Sequence, residues 1–337
     1  MKRFFRAVSV VAFLIATTAG AAWSQSVDDE LGEAISTVDG KKLYFVELNN
    51  PPTADGGDLT AILAEQTAFR GAANARGIGY TERSAHQKLW NGLSVAVDPK
   101  DLGKLRRLGG IKSVQPVIEM SLPNEPPGEE IDLSTALQMT GANVAQNSLG
   151  LSGAGIKVGI IDTGQDYDHV AFGGDGVSRS DSPLFPTSRS IVGQDFVGNT
   201  WAPGQVPVPD ARPDDCNGHG THVSGIVGAG GGFPGVAPAV SFGVYKVFGC
   251  GNTTAADVML LAMERAFDDG MDVINMSIGA ALQWPTYPTA AAAKSLVNQG
   301  MVVVASAGND AVYGTYAGGA PGVGEKVISV ASFDNTH

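Results

Sequence analysis

The side chains best suited to chemistry fall in three short segments of a 337-residue chain. The first, Gly159-Ile160-Ile161-Asp162-Thr163-Gly164, places a carboxylate at the end of an apolar run with a glycine turn directly after it. Alone, Asp-Thr-Gly reads at least as well as a turn. The second, Asp214-Asp215-Cys216-Asn217-Gly218-His219-Gly220-Thr221-His222-Val223-Ser224-Gly225, sets His219 between two glycines at the start of a small-residue helix. A helix N-terminus disfavours positive charge, so an imidazole there stays neutral and able to accept a proton. The His219/His222 spacing invites a metal, but no Glu follows in the pattern of a zinc-protease helix, and His222 reads as a packed or hydrogen-bonded neighbour. The third, Val304-Ala305-Ser306-Ala307-Gly308-Asn309-Asp310, delivers a carboxamide at the end of another apolar run. Asn309 fits a turn, and it equally fits donation to a developing oxyanion, because an amide donates without titrating. Taken together, an acid, an imidazole and an amide at one edge of one layer make up most of an acyl-transfer site.

That edge requires particular elements. From residue 156 onward, short β-branched runs at 156–161, 240–247, 271–278, 301–306 and 326–331 alternate with helical stretches at 221–229, 255–269 and 288–299. Thr254 is placed to cap the second of these helices, and Gly270 and Gly300 to stop the second and third. Unbroken hydrophobicity in the runs predicts strands buried on both faces, hence an α/β domain with a parallel sheet and helices on both faces. Such sheets bind ligands at the carboxyl ends of their strands. Residues 41–121 read as a smaller α+β unit: strands at 43–48, 92–97 and 111–118, and helices at 59–76 and 99–108. Residues 122–150, opening with a polar stretch of three prolines, read as an exposed linker open to proteolysis.

At the N-terminus, Lys2, Arg3 and Arg6 precede an apolar run from Ala7 to Ile15, and Ala22-Trp23-Ser24 gives a small-x-small end. This predicts a secretory signal peptide over residues 1–24 and no membrane anchor, since a spanning helix needs about 18 apolar residues. The net charge of −12 argues against nucleic acid as a partner. The acidity concentrates beyond residue 130, where 8 Lys+Arg face 18 Asp+Glu. With 43% hydrophobic and 17% charged residues, the chain can build a packed core and is neither a coiled coil nor disordered. Two cysteines leave open one bridge, Cys216–Cys250, or two free thiols, and export favours the bridge.

The segments around Asp162 and His219 resemble the motifs of the subtilisin-like serine proteases, and the resemblance spans roughly residues 150–337. It implies a subtilisin-like fold at 151–337, with Asp162 orienting the imidazole and His219 as general base and then acid. Asn309 is implied as the oxyanion donor, and Ser277 and Gly279, in Asn275-Met276-Ser277-Ile278-Gly279, as backbone partners of an extended peptide. Trp90-Asn91-Gly92-Leu93-Ser94-Val95 and Ile111-Lys112-Ser113-Val114-Gln115-Pro116 make 41–121 similar to the family's ferredoxin-like propeptide, an intramolecular chaperone and inhibitor. Polypeptide substrates and no catalytic cofactor follow from the same resemblance. Structural calcium, common in the family, is left without assigned ligands, because Asp166, Asp168, Asp175, Asp195, Asp214 and Asp215 show no EF-hand spacing.

One family element is missing. No Gly-Thr-Ser-Met-Ala-like segment carrying a nucleophile occurs in the 337 residues, and Ser224, Ser277 and Ser306 each sit in a motif with another role. The expectation is therefore the N-terminal part of a longer protease, inactive as a fragment. A non-catalytic peptide-binding module or pseudoprotease is the alternative, and a metal-dependent hydrolase a distant third.

Overall fold

A computed structural model describes residues 32–122 and 133–332. The expected signal peptide and the proline-rich start of the linker lie outside the described residues.

The N-terminal unit is a four-stranded antiparallel sheet of order β2-β3-β1-β4, formed by β1 (Lys42–Leu48), β2 (Tyr80–His86), β3 (Gly92–Val97) and β4 (Ile111–Pro116). Helix α1 (Leu59–Ala75) joins β1 to β2, and the short α2 (Leu102–Leu105) lies between β3 and β4, which is the ferredoxin-like arrangement. Asp58 caps α1 by accepting from Ala61 N–H. Val46, Leu93 and Val95 meet Phe69 and Ala73 of α1 in one core. The helix expected over 99–108 is a 3₁₀ turn plus four α-helical residues, with Gly103 inside it weakening propagation. Strand β2 was not legible: its residues, Tyr-Thr-Glu-Arg-Ser-Ala-His, lack apolar alternation because one face meets polar groups of the second unit.

After β5 (Glu119–Ser121), α3 (Leu133–Met139) and α4 (Ala142–Asn147) fall within the stretch read as linker. Gln146 ties them down through hydrogen bonds to Gly235 O and Val236 O.

The second unit is built on a six-stranded parallel sheet of order β12-β11-β10-β6-β8-β7. Its strands are β6 (Lys157–Asp162), β7 (Ser190–Asp195), β8 (Ser241–Lys246), β10 (Val273–Met276), β11 (Val302–Ser306) and β12 (Ile328–Val330). Helices α5 (His219–Gly228), α6 (Ala256–Asp268) and α7 (Pro288–Asn298) connect them, and β9 (Thr253–Ala255) leads directly into α6. Val158 and Ile160 of β6 pack with Val223 of α5, whereas Ile161 joins a separate core with Met263 of α6 and Leu296 of α7. The sheet is thus covered on both faces. Thr254 does not cap α6 as expected: it lies in β9 and its hydroxyl donates to Val247 O, because the edge strand runs straight into the helix.

The two units share a polar and apolar contact. Asp257, at the start of α6, pairs with Arg83 (2.8 Å) and accepts from Ser94 Oγ (2.7 Å). Glu264, on the same helix, accepts from Lys88 and Leu89 N–H (3.1 and 3.2 Å) and meets His86 Nδ1 at 3.1 Å. Phe45, Trp90 and Tyr287 stack edge-on across the boundary.

Candidate functional site

Every strand that contributes to the site does so at its carboxyl end. Asp162 closes β6 and is fully buried. His219 opens α5, whose first turn is organised by Asp215: its carboxylate accepts from the N–H groups of Asn217 (2.9 Å), Gly218 (3.0 Å) and Thr221 (2.9 Å) and from Thr221 Oγ1 (2.6 Å). Gly218 holds φ 107°, a left-handed conformation that favours glycine. Gly220 is fixed by space, since a Cβ there would lie 2.2 Å from Gly164 O. Helix α5 therefore starts against the turn after β6, and this close approach delivers the ring to the acid.

The His219 Nδ1–H donates to Asp162 Oδ1 at 2.7 Å, and the same oxygen accepts from Thr163 N–H at 2.7 Å. A carboxylate can only accept, so this contact leaves Nε2 as the nitrogen for proton exchange. Burial raises the pKa of Asp162, opposed by the hydrogen bond and charge of His219. For Asp215, burial pushes upward as well, but the hydrogen bonds from Gly218, Thr221 and Asn217 prevail and hold it below the usual carboxylate range.

A cleft of about 610 Å³ is lined by His219, Ser277, Gly279 and Asn309, with Asn309 exposed at its rim. Asp162 stands behind His219 and does not line it. Ser277 Oγ accepts from Asn275 Nδ2 at 2.9 Å, and Gly279 makes an antiparallel bridge to Ser121. Strand β5 also pairs with β9, Met120 opposite Thr254, and Leu122 N–H donates to Asn252 O at 3.0 Å. Ser121 and Leu122 reach the same cleft as His219, so an extended segment of this chain already lies between β9 and Gly279.

Cys216 and Cys250 form a disulfide that joins the His219 loop to the loop before β9. His222, expected as a packed or hydrogen-bonded neighbour, is exposed, because its side of α5 faces away from the sheet. Of the acidic residues named for calcium, Asp168 takes Ser182 Oγ and Arg179, Asp175 takes Arg179, Asp195 takes Val197 and Gly198 N–H, Asp214 takes Ser182 N–H, and Asp215 organises the first turn of α5. Among the described residues no group of three or more His, Cys, Asp or Glu is arranged to hold a metal ion.

Three residues of the site were not found from sequence. Asp215 had a signal, an acid four residues ahead of His219 at a helix start. Thr163 and Lys246 had none. Thr163 Oγ1 accepts from Gly220 N–H (2.8 Å), and the buried Lys246 Nζ donates to Thr163 O (3.0 Å). Burial lowers the Lys246 pKa against the pull of Asp195, Asp215, Asp214 and Asp210.

A parallel α/β sheet with an acid–imidazole pair at its strand ends, beside a groove that accepts an added strand, defines a class of hydrolase-like scaffold. Residues 153–337 match the sequence profile of the Subtilase family, and the chain belongs to that family. The minor extracellular protease Vpr of Bacillus subtilis is 32% identical over 257 residues, covering 73% of this chain and 30% of that protein. Subtilisin DY of Bacillus licheniformis is 34% identical over 192 residues, covering 55% of this chain and 59% of that protein. The chain thus spans about a third of the first relative's length and three-fifths of the second's. Among solved structures, the epidermin leader peptide processing serine protease of Staphylococcus aureus superposes with TM-score 0.62 at 21% identity, covering 88% of this chain and 70% of that one. At that identity the likeness shows the fold alone.

Proposed function

We propose that the chain is part of an exported subtilisin-like serine endopeptidase precursor: signal peptide at 1–24, inhibitory propeptide at 41–121, processing region at 122–150 and catalytic domain at 151–337. Asp162 fixes the imidazole tautomer and balances its charge, while His219 takes a proton from the nucleophile and returns it to the leaving amine. The Asn309 amide donates to the tetrahedral oxyanion. The backbone at Ser277 and Gly279 holds the substrate as an added strand, a mode that gives affinity with little sequence preference. The nucleophilic serine is assigned to polypeptide outside these 337 residues, so the fragment alone forms no acyl-enzyme.

The observation that carries this reading is the 2.7 Å contact between His219 and Asp162 beside a cleft that holds Ser121 and Leu122. The same segment supports the inhibitory role of 41–121: its tail lies where a peptide substrate would lie, and maturation is expected within a few residues after Leu122. Export is supported by the Lys2–Ser24 pattern. No helix among the described residues is long and apolar enough to cross a membrane.

The test is peptidase activity of the protein expressed from its whole reading frame, with N-terminal sequencing of the mature form. His219→Ala is expected to lower kcat/KM by at least about 10²–10⁴-fold, the usual share of general acid–base catalysis. Undiminished peptidase activity in that variant refutes the proposal.

A further inference from the structure

Lys246 is the last residue of β8 and is fully buried. Parallel register sets it level with Asp162 on β6 and with Asp195 on β7, so the three side chains stand in a row on one side of the sheet. Its ammonium donates to Thr163 O (3.0 Å) and lies 3.4 Å from Cys216 Sγ. Both contacts lie on the His219 side. Asp195 Oδ1, on the other side, accepts from Val197 and Gly198 N–H (2.8 Å each).

Thr163 is held at three points. Its N–H donates to Asp162 Oδ1, its hydroxyl accepts from Gly220 N–H, and its carbonyl accepts from Lys246. One residue therefore joins the acid, the amide next to the imidazole and a buried cation. Burying an ammonium costs several kcal/mol after relaxation, so an apolar side chain would be the cheaper filler if packing alone were needed.

We propose that Lys246 is a positioning residue for the Asp162–His219 couple: it locks Thr163, and through Thr163 and its own charge it sets the orientation and proton affinity of the imidazole. The charged and titratable groups around the couple are Asp195 at the end of β7, Asp210, Asp214 and Asp215 ahead of α5, His222 on α5, and Asp310 across the cleft. Lys246 opposes the acids of this set. Removing it stabilises the imidazolium, so the His219 pKa rises. A unit charge about 10 Å away, at an effective dielectric near 20, shifts a pKa by about one unit.

The inference rests on the protease reading for the meaning of the couple. Its test uses no substrate, so a failed peptidase assay and a failed titration are separate results. The full chain is prepared with isotope-labelled histidine, His219 is assigned by the resonance lost in His219→Gln, and its ring is titrated by NMR while the downfield Nδ1–H proton is followed. Lys246→Arg keeps donor and charge and is expected to leave both signals unchanged. Lys246→Gln keeps a donor but loses the charge, and His219 should titrate about half a unit to one unit higher. Lys246→Met loses both, and the Nδ1–H resonance should broaden through exchange in addition. Should Lys246→Met not fold, Lys246→Gln decides by titration alone. An unchanged His219 titration in folded Lys246→Gln overturns the proposal, as does Lys246→Arg shifting as far as Lys246→Met.

Discussion

Replacing both Cys216 and Cys250 by Ser removes the cross-link between the His219 loop and the loop before β9. The two residues are 34 apart in sequence. For a closed loop of about 35 residues, the chain-entropy relation gives about 13 cal/mol/K, or roughly 4 kcal/mol at room temperature, lost from stability when the bridge goes. At about 2–3 °C per kcal/mol for a domain of this size, the unfolding midpoint should fall by roughly 8–12 °C. Both cysteines are exposed, so serine leaves no cavity and little packing loss is added. Native geometry should persist, because Asn217 Nδ2 donates to Asn252 Oδ1 at 2.8 Å across the same gap. Calorimetry and urea unfolding of the unaltered and doubly substituted proteins, with the unaltered protein repeated under dithiothreitol, measure the difference. A loss below about 1 kcal/mol in both comparisons would refute the unfolded-state reasoning, since the bridge would then restrict little that the chain does not already restrict.

Asp215→Asn should destabilise at neutral pH by about 1–2 kcal/mol, because it weakens the cap of α5. Because the native pKa of Asp215 is depressed, its stabilisation is present above the unfolded carboxylate range near pH 4 and is lost as pH falls through the native value. Unfolding curves of the unaltered and substituted proteins should therefore converge in acid, and a gap independent of pH counts against this account. Asn309→Ala in the whole protein should lower kcat by about 10²–10³ with KM little changed, as loss of one oxyanion donor does in subtilisin. Steady-state kinetics that show only a KM effect would remove Asn309 from the oxyanion role. Arg83→Met leaves the buried Asp257 without its guanidinium and should cost about 3 kcal/mol, the low end for a broken buried pair because Ser94 still donates. Urea unfolding checks it, and a change below about 0.5 kcal/mol would show that the pair contributes little to docking of the two units.

The segments around Asp162 and His219 were legible because their chemistry is local. A strand-end acid followed by glycine, and a histidine opening a small-residue helix, are readable without knowing what lies opposite. Five of the six strands of the parallel sheet were legible, since burial on both faces leaves unbroken apolar runs such as Val158–Ile161. Strand β7 was missed because Ser190–Asp195 mixes polar and apolar residues at the sheet edge, and β12, expected to be buried, is exposed at all three residues. Strand β2 was hidden because Arg83 and His86 serve the contact with α6, which makes a strand look like a polar loop. The pairing of β5 with β9 was hidden too, as segments of three residues carry no period to read.

Sequence by itself determined the local features: the glycine turn after Asp162, the histidine set between two glycines at the start of a small-residue helix, and the apolar strands that must be covered. Only the tertiary structure decided that Lys246 stands level with Asp162, that Thr163 joins Gly220 to the acid, and that Leu122 reaches the cleft of His219. The reason is physical. Neighbouring strands of a parallel sheet are joined by long crossovers, so their register is set by packing between distant segments and leaves no trace in the spacing of either one.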